Sequence, residues 1–224
     1  TDPKALFIVA AIIGWTAYSY LSAWMNHRYE ASFNAILSQL ATVFSVFLGV
    51  FFLKEVLSLP NSIGILLILL GNVLLASKQA EIKFNNVLLM RIGMSLILAL
   101  CFMFDNIASP FFNRSIYIFL AYFIPGIVLW VFVPGINWKT IVTTIKENGK
   151  DVSLLSLSSL GGYYFLLKAY DVGQLALIIP IIQSSTVSTV IGATFLLNEK
   201  KNITLKVLTG IMVTVGVIIV SLYS

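Results

Sequence analysis

Residues 39–55 read QLATVFSVFLGVFFLKE, and residues 183–199 read QSSTVSTVIGATFLLNE. Aligned without gaps, seven of these seventeen positions are identical: Gln39/Gln183, Thr42/Thr186, Val43/Val187, Val46/Val190, Phe51/Phe195, Leu53/Leu197 and Glu55/Glu199. The copies lie 144 residues apart. Each is followed by a further apolar, glycine-containing stretch, SIGILLILLGNVLLA from Ser62 and VLTGIMVTVGVIIVS from Val207. Repetition inside so apolar a chain points to a transporter built from two related halves.

Composition places the chain in a bilayer. It is 59% hydrophobic and only 10% charged, with a mean hydropathy of +0.97. A soluble domain carries about 25% charged residues. The pI near 9.3 does not point to nucleic acid, because the basic residues sit singly or in pairs between apolar runs, as in membrane loops. Cys101, the single cysteine, lies in an apolar stretch and reads as a small buried side chain.

Eight segments are long and apolar enough to cross a bilayer: 5–24, 30–53, 57–77, 87–108, 115–133, 152–170, 174–197 and 203–223. A span needs about 20 residues, and helices are the default because lipid offers an open sheet edge no partner. The fold class expected is therefore an all-α polytopic helix bundle. Residues 135–151 (GINWKTIVTTIKENGKD) form the longest connection. Ile136, Ile141, Val142 and Ile145 give it an apolar face, so it reads equally as an interfacial helix or a solvated loop.

The two repeats differ in visible length. Residues 87–224 hold five expected helices, whereas residues 1–79 hold three. Moving 87–133 back by the repeat interval places two helices before Thr1, and the chain starts without methionine. The expectation is an amino-terminally truncated ten-helix protein lacking about 55 residues, with a natural eight-helix protein as the alternative. Two consecutive five-helix repeats cross the membrane in opposite senses, which makes an inverted repeat.

Polar residues inside spans are expensive and therefore informative. Gln39, Thr42 and Ser45 share one helical face, and Gln183, Thr186 and Thr189 repeat that spacing. They read either as the wall of a substrate cavity or as helix–helix hydrogen bonds. Asp105 follows a long apolar run with Pro110 just beyond it. At depth it is a proton acceptor or a counter-ion for an amine; at a helix end it is only an interfacial residue. Lys168, near the end of its helix, reads as a snorkelling side chain in preference to a partner for Asp105 or a substrate anion. Tyr20 and Tyr164 match at the repeat interval, with Tyr18 and Tyr163 nearby, and read as a clamp for a flat or cationic solute or as aromatic packing. Glu55 and Glu199 look like structural or gating charges. Gly64, Gly71, Gly210 and Gly216 read as packing positions, within the chain or in a homodimer. His27 is the single histidine, and no phosphate loop, metal spacing or nucleophile elbow occurs, so neither enzyme activity nor a cofactor or metal is expected.

Taken together, FLKE (52–55), LLNE (196–199), Tyr-Phe-Leu-Leu-Lys-Ala-Tyr (164–170) and Leu-Ala-Leu-Ile-Ile-Pro-Ile-Ile-Gln (175–183) resemble the EamA-type repeat of the drug/metabolite transporter superfamily. The first repeat departs from it in having Ile36 where the second has Pro180. The resemblance implies a ten-helix carrier in the cell membrane, exporting or exchanging small organic solutes such as amino acids or amines by alternating access. Proton coupling stays open. A non-transporting assembly or signalling subunit is the alternative. The resemblance implies cytoplasmic ends, whereas ten of the 14 basic residues fall on the opposite side, so orientation also stays open.

Overall fold

A backbone amide in hydrocarbon has no partner outside its own segment, so apolar runs of this length close their hydrogen bonds as helices. The computed structural model describes residues 3–26, 31–77, 86–133, 136–185, 187 and 203–223, and all regular structure among them is helical. The helices are α1 (Pro3–Asn26), α2 (Ala31–Phe51), α3 (Leu59–Ser77), α4 (Asn86–Ala108), α5 (Arg114–Phe132), α6 (Trp138–Ala169), α7 (Leu175–Gln183) and α8 (Ile203–Tyr223). A 3-10 turn, Ser109–Phe111, joins α4 to α5. Four stretches among the described residues are long and apolar enough to span a membrane: Leu6–Trp24, Leu89–Phe111, Arg114–Phe132 and Thr204–Tyr223.

Most expected spans agree with these helices to within a few residues. The segment 135–151 turns out helical: α6 begins at Trp138, where the Asn137 side chain accepts from the Thr140 amide at 2.9 Å, and continues into the expected span. It bends at Asn148 (φ −123°, ψ 26°), next to Gly149; neither residue is a strong helix former. The expected span 174–197 is described only as far as 187, so Thr186, Thr189 and Glu199 lie outside the described residues.

The chain forms two compact units, Thr1–Met25 with Leu100–Val172, and Asn26–Ala99 with Gly173–Ser224. In the second unit α3 packs along α8, and α2 packs on α7. Ile65, Ile68, Leu177, Val187, Val213 and Val220 form the shared core. The contacts of α3 run in reverse order along α8: the Asn61 amide donates to the Tyr223 carbonyl at 3.2 Å, Gly64 lies on Gly216, and Gly71 lies on Thr209 and Val213. The two helices are therefore antiparallel. Lipid tails are as apolar as the helices, so close van der Waals contact rather than water exclusion holds such a pair, and small residues permit it.

The connection after α2 places Glu55. Lys54 takes a left-handed conformation (φ 58°), and the Glu55 carboxylate then accepts from the amides of Leu175 at 2.7 Å and Ala176 at 2.9 Å. These are free amides of the first turn of α7, where the Gln174 side chain makes no cap. Glu55 is thus the N-terminal cap of a helix 120 residues further on. Glu55→Ala is expected to destabilise the second unit by about 0.5–2 kcal/mol, the usual worth of a cap. Thermal unfolding in detergent checks this, and an unchanged Tm would show that the cap is not needed.

Candidate functional site

The site is built in the first unit around one carboxyl group. Along α4, Cys101, Asp105 and Ala108 recur at helical spacing, and each is fully buried (0% exposed). Three elements bring donors to Asp105. On α1, Gly14 allows close approach to α4, since a Cβ there would stand 2.8 Å from the Cys101 sulfur. The next residue, Trp15, donates its indole N–H to Asp105 Oδ2 at 2.9 Å. On α5, the first turn is fixed by Asn113, whose side chain accepts from the amides of Ser115 at 3.1 Å and Ile116 at 3.3 Å. That turn carries Tyr117, whose hydroxyl donates to Oδ1 at 2.7 Å. From α6, the Tyr163 hydroxyl donates to Oδ2 at 2.9 Å.

The donors are locked by their own packing. The Trp15 ring meets Tyr163 and Phe102 edge-on, each with ring centroids 5.8 Å apart. Tyr163 in turn meets Tyr122 edge-on at 5.7 Å. Such pairs contribute about 0.5–1.5 kcal/mol each beyond the area they bury. All three donors to Asp105 are neutral. They orient the carboxyl group without cancelling its charge, so the group is suited to accept a proton or to face an organic cation.

Asp105 was legible in sequence as the acid inside an apolar run, and it is a buried group rather than an interfacial one. One of its three aromatic partners, Tyr163, is the chain neighbour of Tyr164, which the repeat interval singles out. Tyr163 holds the carboxyl, whereas Tyr164 is 40% exposed and lies under the Arg114 guanidinium, 5.7 Å from its ring centroid. Arg114 itself pairs with Asp171. Tyr20 lies on the exposed side of α1, and Lys168 is exposed near the end of α6. Trp15 and Tyr117 were missed. The signal that could have found them is their polar tip: a buried indole or phenol needs an acceptor, and Asp105 is the carboxyl within α4.

The polar stripes fall in the second unit. On α2, Thr42 and Ser45 are fully buried. Ser45 donates to the Ala41 carbonyl at 2.8 Å, whereas the Thr42 hydroxyl has no partner among the described residues. Gln183 closes α7 and is half-buried. Gln39 lies on α2, with its side chain outside the described part, and Thr186 lies outside the described residues. The helices that carry Gln39 and Gln183 pack on each other.

Residues 2–77 match the model of the EamA-like transporter family. No curated protein matches the chain closely enough to stand as a relative. The match falls on α1 to α3, where the QLATVFSVFLGVFFLKE copy lies, and members of that family are membrane transporters of the drug/metabolite type. The match covers about a third of the chain; together with the apolar helices it supports an integral, multi-pass membrane protein.

Proposed function

We propose, on the premise of an EamA-like transporter, that this chain is a secondary carrier of small organic metabolites such as amines or amino acids. It works by alternating access between two inverted repeats, 1–79 and 87–224. Asp105 is the carboxylate that binds the cationic group of the substrate or the coupling proton. The observation that carries this reading is a fully buried carboxyl held by three neutral donors from three different helices. A buried acid in a membrane span, here without a cationic partner among the described residues, is a functional group by default. The antiparallel pairing of α3 with α8, which follow the two copies of the repeated motif, supports inversion.

The test is a screen in liposomes reconstituted with the full-length protein, using labelled amines and amino acids with and without a proton gradient. Uptake or exchange of at least one cationic or zwitterionic solute above empty liposomes is expected. Complete inactivity across the screen would instead favour a non-transporting membrane subunit, for which the Asp105 cluster is a structural tie. That second reading draws on the complete burial of Asp105 and on its three filled hydrogen bonds.

The stripes on α2 and α7 are assigned to the solute path. The buried Thr42 hydroxyl, without a partner among the described residues, supports this, because such a group is rare unless something is meant to meet it. Gln39→Leu and Gln183→Leu are expected to weaken apparent solute affinity by about tenfold, the worth of one to two lost hydrogen bonds. Their thermal stability should stay near that of the unmodified protein. Unchanged affinity in both variants would remove the glutamines from the path.

A further inference from the structure

Within the first unit, α5 and α6 line an open apolar cleft of about 580 Å³. Its walls include Phe119, Phe123 and Trp130 on α5, and Trp138, Ile141 and Leu160 on α6. The polar tip of Tyr122, which also lines it, donates to the Ser159 carbonyl at 3.3 Å and so is turned to α6 rather than left for a polar ligand. From Phe119 to Trp130 the cleft follows α5 for about 16 Å at 1.5 Å per residue. An elongated slot of this kind suits a hydrocarbon chain and offers a compact polar solute nothing to bind.

One end of the cleft is different in character. Trp130 and Trp138 flank the connection between α5 and α6, and both are well exposed (48% and 69%). Exposed tryptophans at the end of a span mark the membrane–water boundary. The first arm of α6, before the bend at Asn148, is amphipathic: Trp138, Ile141, Val142 and Ile145 form its apolar face. Lys139 and Lys146 are both exposed, and at 3.6 residues per turn they fall together along one edge of that face. A helix with tryptophan and aliphatic residues on one side and lysines at its border lies in the headgroup layer and attracts anionic lipid.

We propose that this cleft is a binding site for one anionic phospholipid, with an acyl chain between α5 and α6 and the phosphate at Lys139 and Lys146. The apolar slot and the basic edge each select one part of the same molecule. Bulk lipid on a convex helix surface meets neither of these features. The site does not include Asp105, which it neighbours through the Tyr122–Tyr163 ring contact, and it does not depend on which solute the protein carries.

Gly126 supplies a clean test. It lines the cleft on α5, and a Cβ built there meets nothing within 4 Å. Gly126→Phe therefore fills the slot without pressing on the core. The full chain in detergent is titrated with phosphatidylglycerol or phosphatidylcholine of identical acyl chains, and bound lipid is counted by native mass spectrometry. The first phosphatidylglycerol is expected to bind roughly twenty-five-fold more tightly than phosphatidylcholine, since each of the two lysines near the headgroups contributes about a fivefold factor. Gly126→Phe should abolish the tight site for both lipids. Lys139→Ala with Lys146→Ala should bring phosphatidylglycerol down to the level of phosphatidylcholine and leave the latter unchanged. Circular dichroism should show native helicity in both variants. Equal affinity for the two lipids overturns the proposal, as does tight binding that survives both variants. So does a dimeric mass that Gly126→Phe removes, which would make the cleft an interface between copies.

Discussion

Asp105→Asn is expected to abolish solute transport in liposomes while leaving the protein folded. The reason lies in the donors. Trp15 and Tyr163 both donate to Oδ2, and Tyr117 donates to Oδ1. An asparagine with its oxygen at the Oδ2 position still accepts from the first two. Its amide then faces Tyr117, whose hydroxyl can rotate to accept instead of donate. Three hydrogen bonds survive, with the Tyr117 one reversed and its O–H proton released from its acceptor, while the charge and the exchangeable proton are lost. Asp105→Ala behaves differently, because it strands three donors in a buried site at about 1–3 kcal/mol for each. The alanine variant should therefore melt well below the asparagine variant, although both are inactive. Full transport by Asp105→Asn would reduce the carboxyl to a structural tie between helices. Retained activity in Asp105→Glu would support the charge as the working feature.

The largest loss of stability is expected from Gly216→Leu. A Cβ at this position would stand 2.7 Å from the Gly64 carbonyl oxygen and 3.1 Å from the Ile68 amide nitrogen. Both are backbone atoms that cannot swing aside, so α3 and α8 must move apart along their whole contact. Overpacking of a tight interior costs about 1–3 kcal/mol and at times more. Here the core of Ile65, Ile68, Val213 and Val220 is disrupted as well. Gly64→Leu should act alike, since its Cβ would lie 2.9 Å from the Gly216 carbonyl. Gly161→Ala and Gly162→Ala are the controls: nothing lies within 4 Å of an added Cβ there, and helix propensity should add about 0.5–1 kcal/mol of stability. Thermal melts of the four variants in detergent settle the matter. Equal Tm for Gly216→Leu and Gly161→Ala would falsify the claim that the α3–α8 crossing holds the second unit.

The glutamate at position 55 shows where sequence reading stops. FLKE marks the end of α2 plainly, because the apolar run ends in charged residues there. That the carboxylate caps α7, 120 residues later, is written nowhere in the local pattern. The same holds for the glycines. Their recurrence in α3 and α8 announces close packing, but whether the partner is another helix of the chain or a second copy depends on where the backbone goes. For Gly64, Gly71 and Gly216 the partner is within the chain.

What the sequence determined by itself is the part governed by short-range physics. Runs of about 20 apolar residues must be helices in lipid whatever surrounds them, so α1, α3, α4, α5 and α8 could be read to within a few residues. Helix continuity through 138–151 was ambiguous because the segment is short, polar on one face and weak at Asn148 and Gly149, and packing of its apolar side decides such a case. What only the tertiary structure decided is which side chains meet. Tyr163 rather than Tyr164, together with Trp15 and Tyr117, surrounds Asp105. A one-residue step along a helix turns a side chain by about 100°, and the face that finds the carboxyl is set by how several helices cross. Periodicity identifies a buried face, but the partner it meets is fixed by long-range packing that no local stretch encodes.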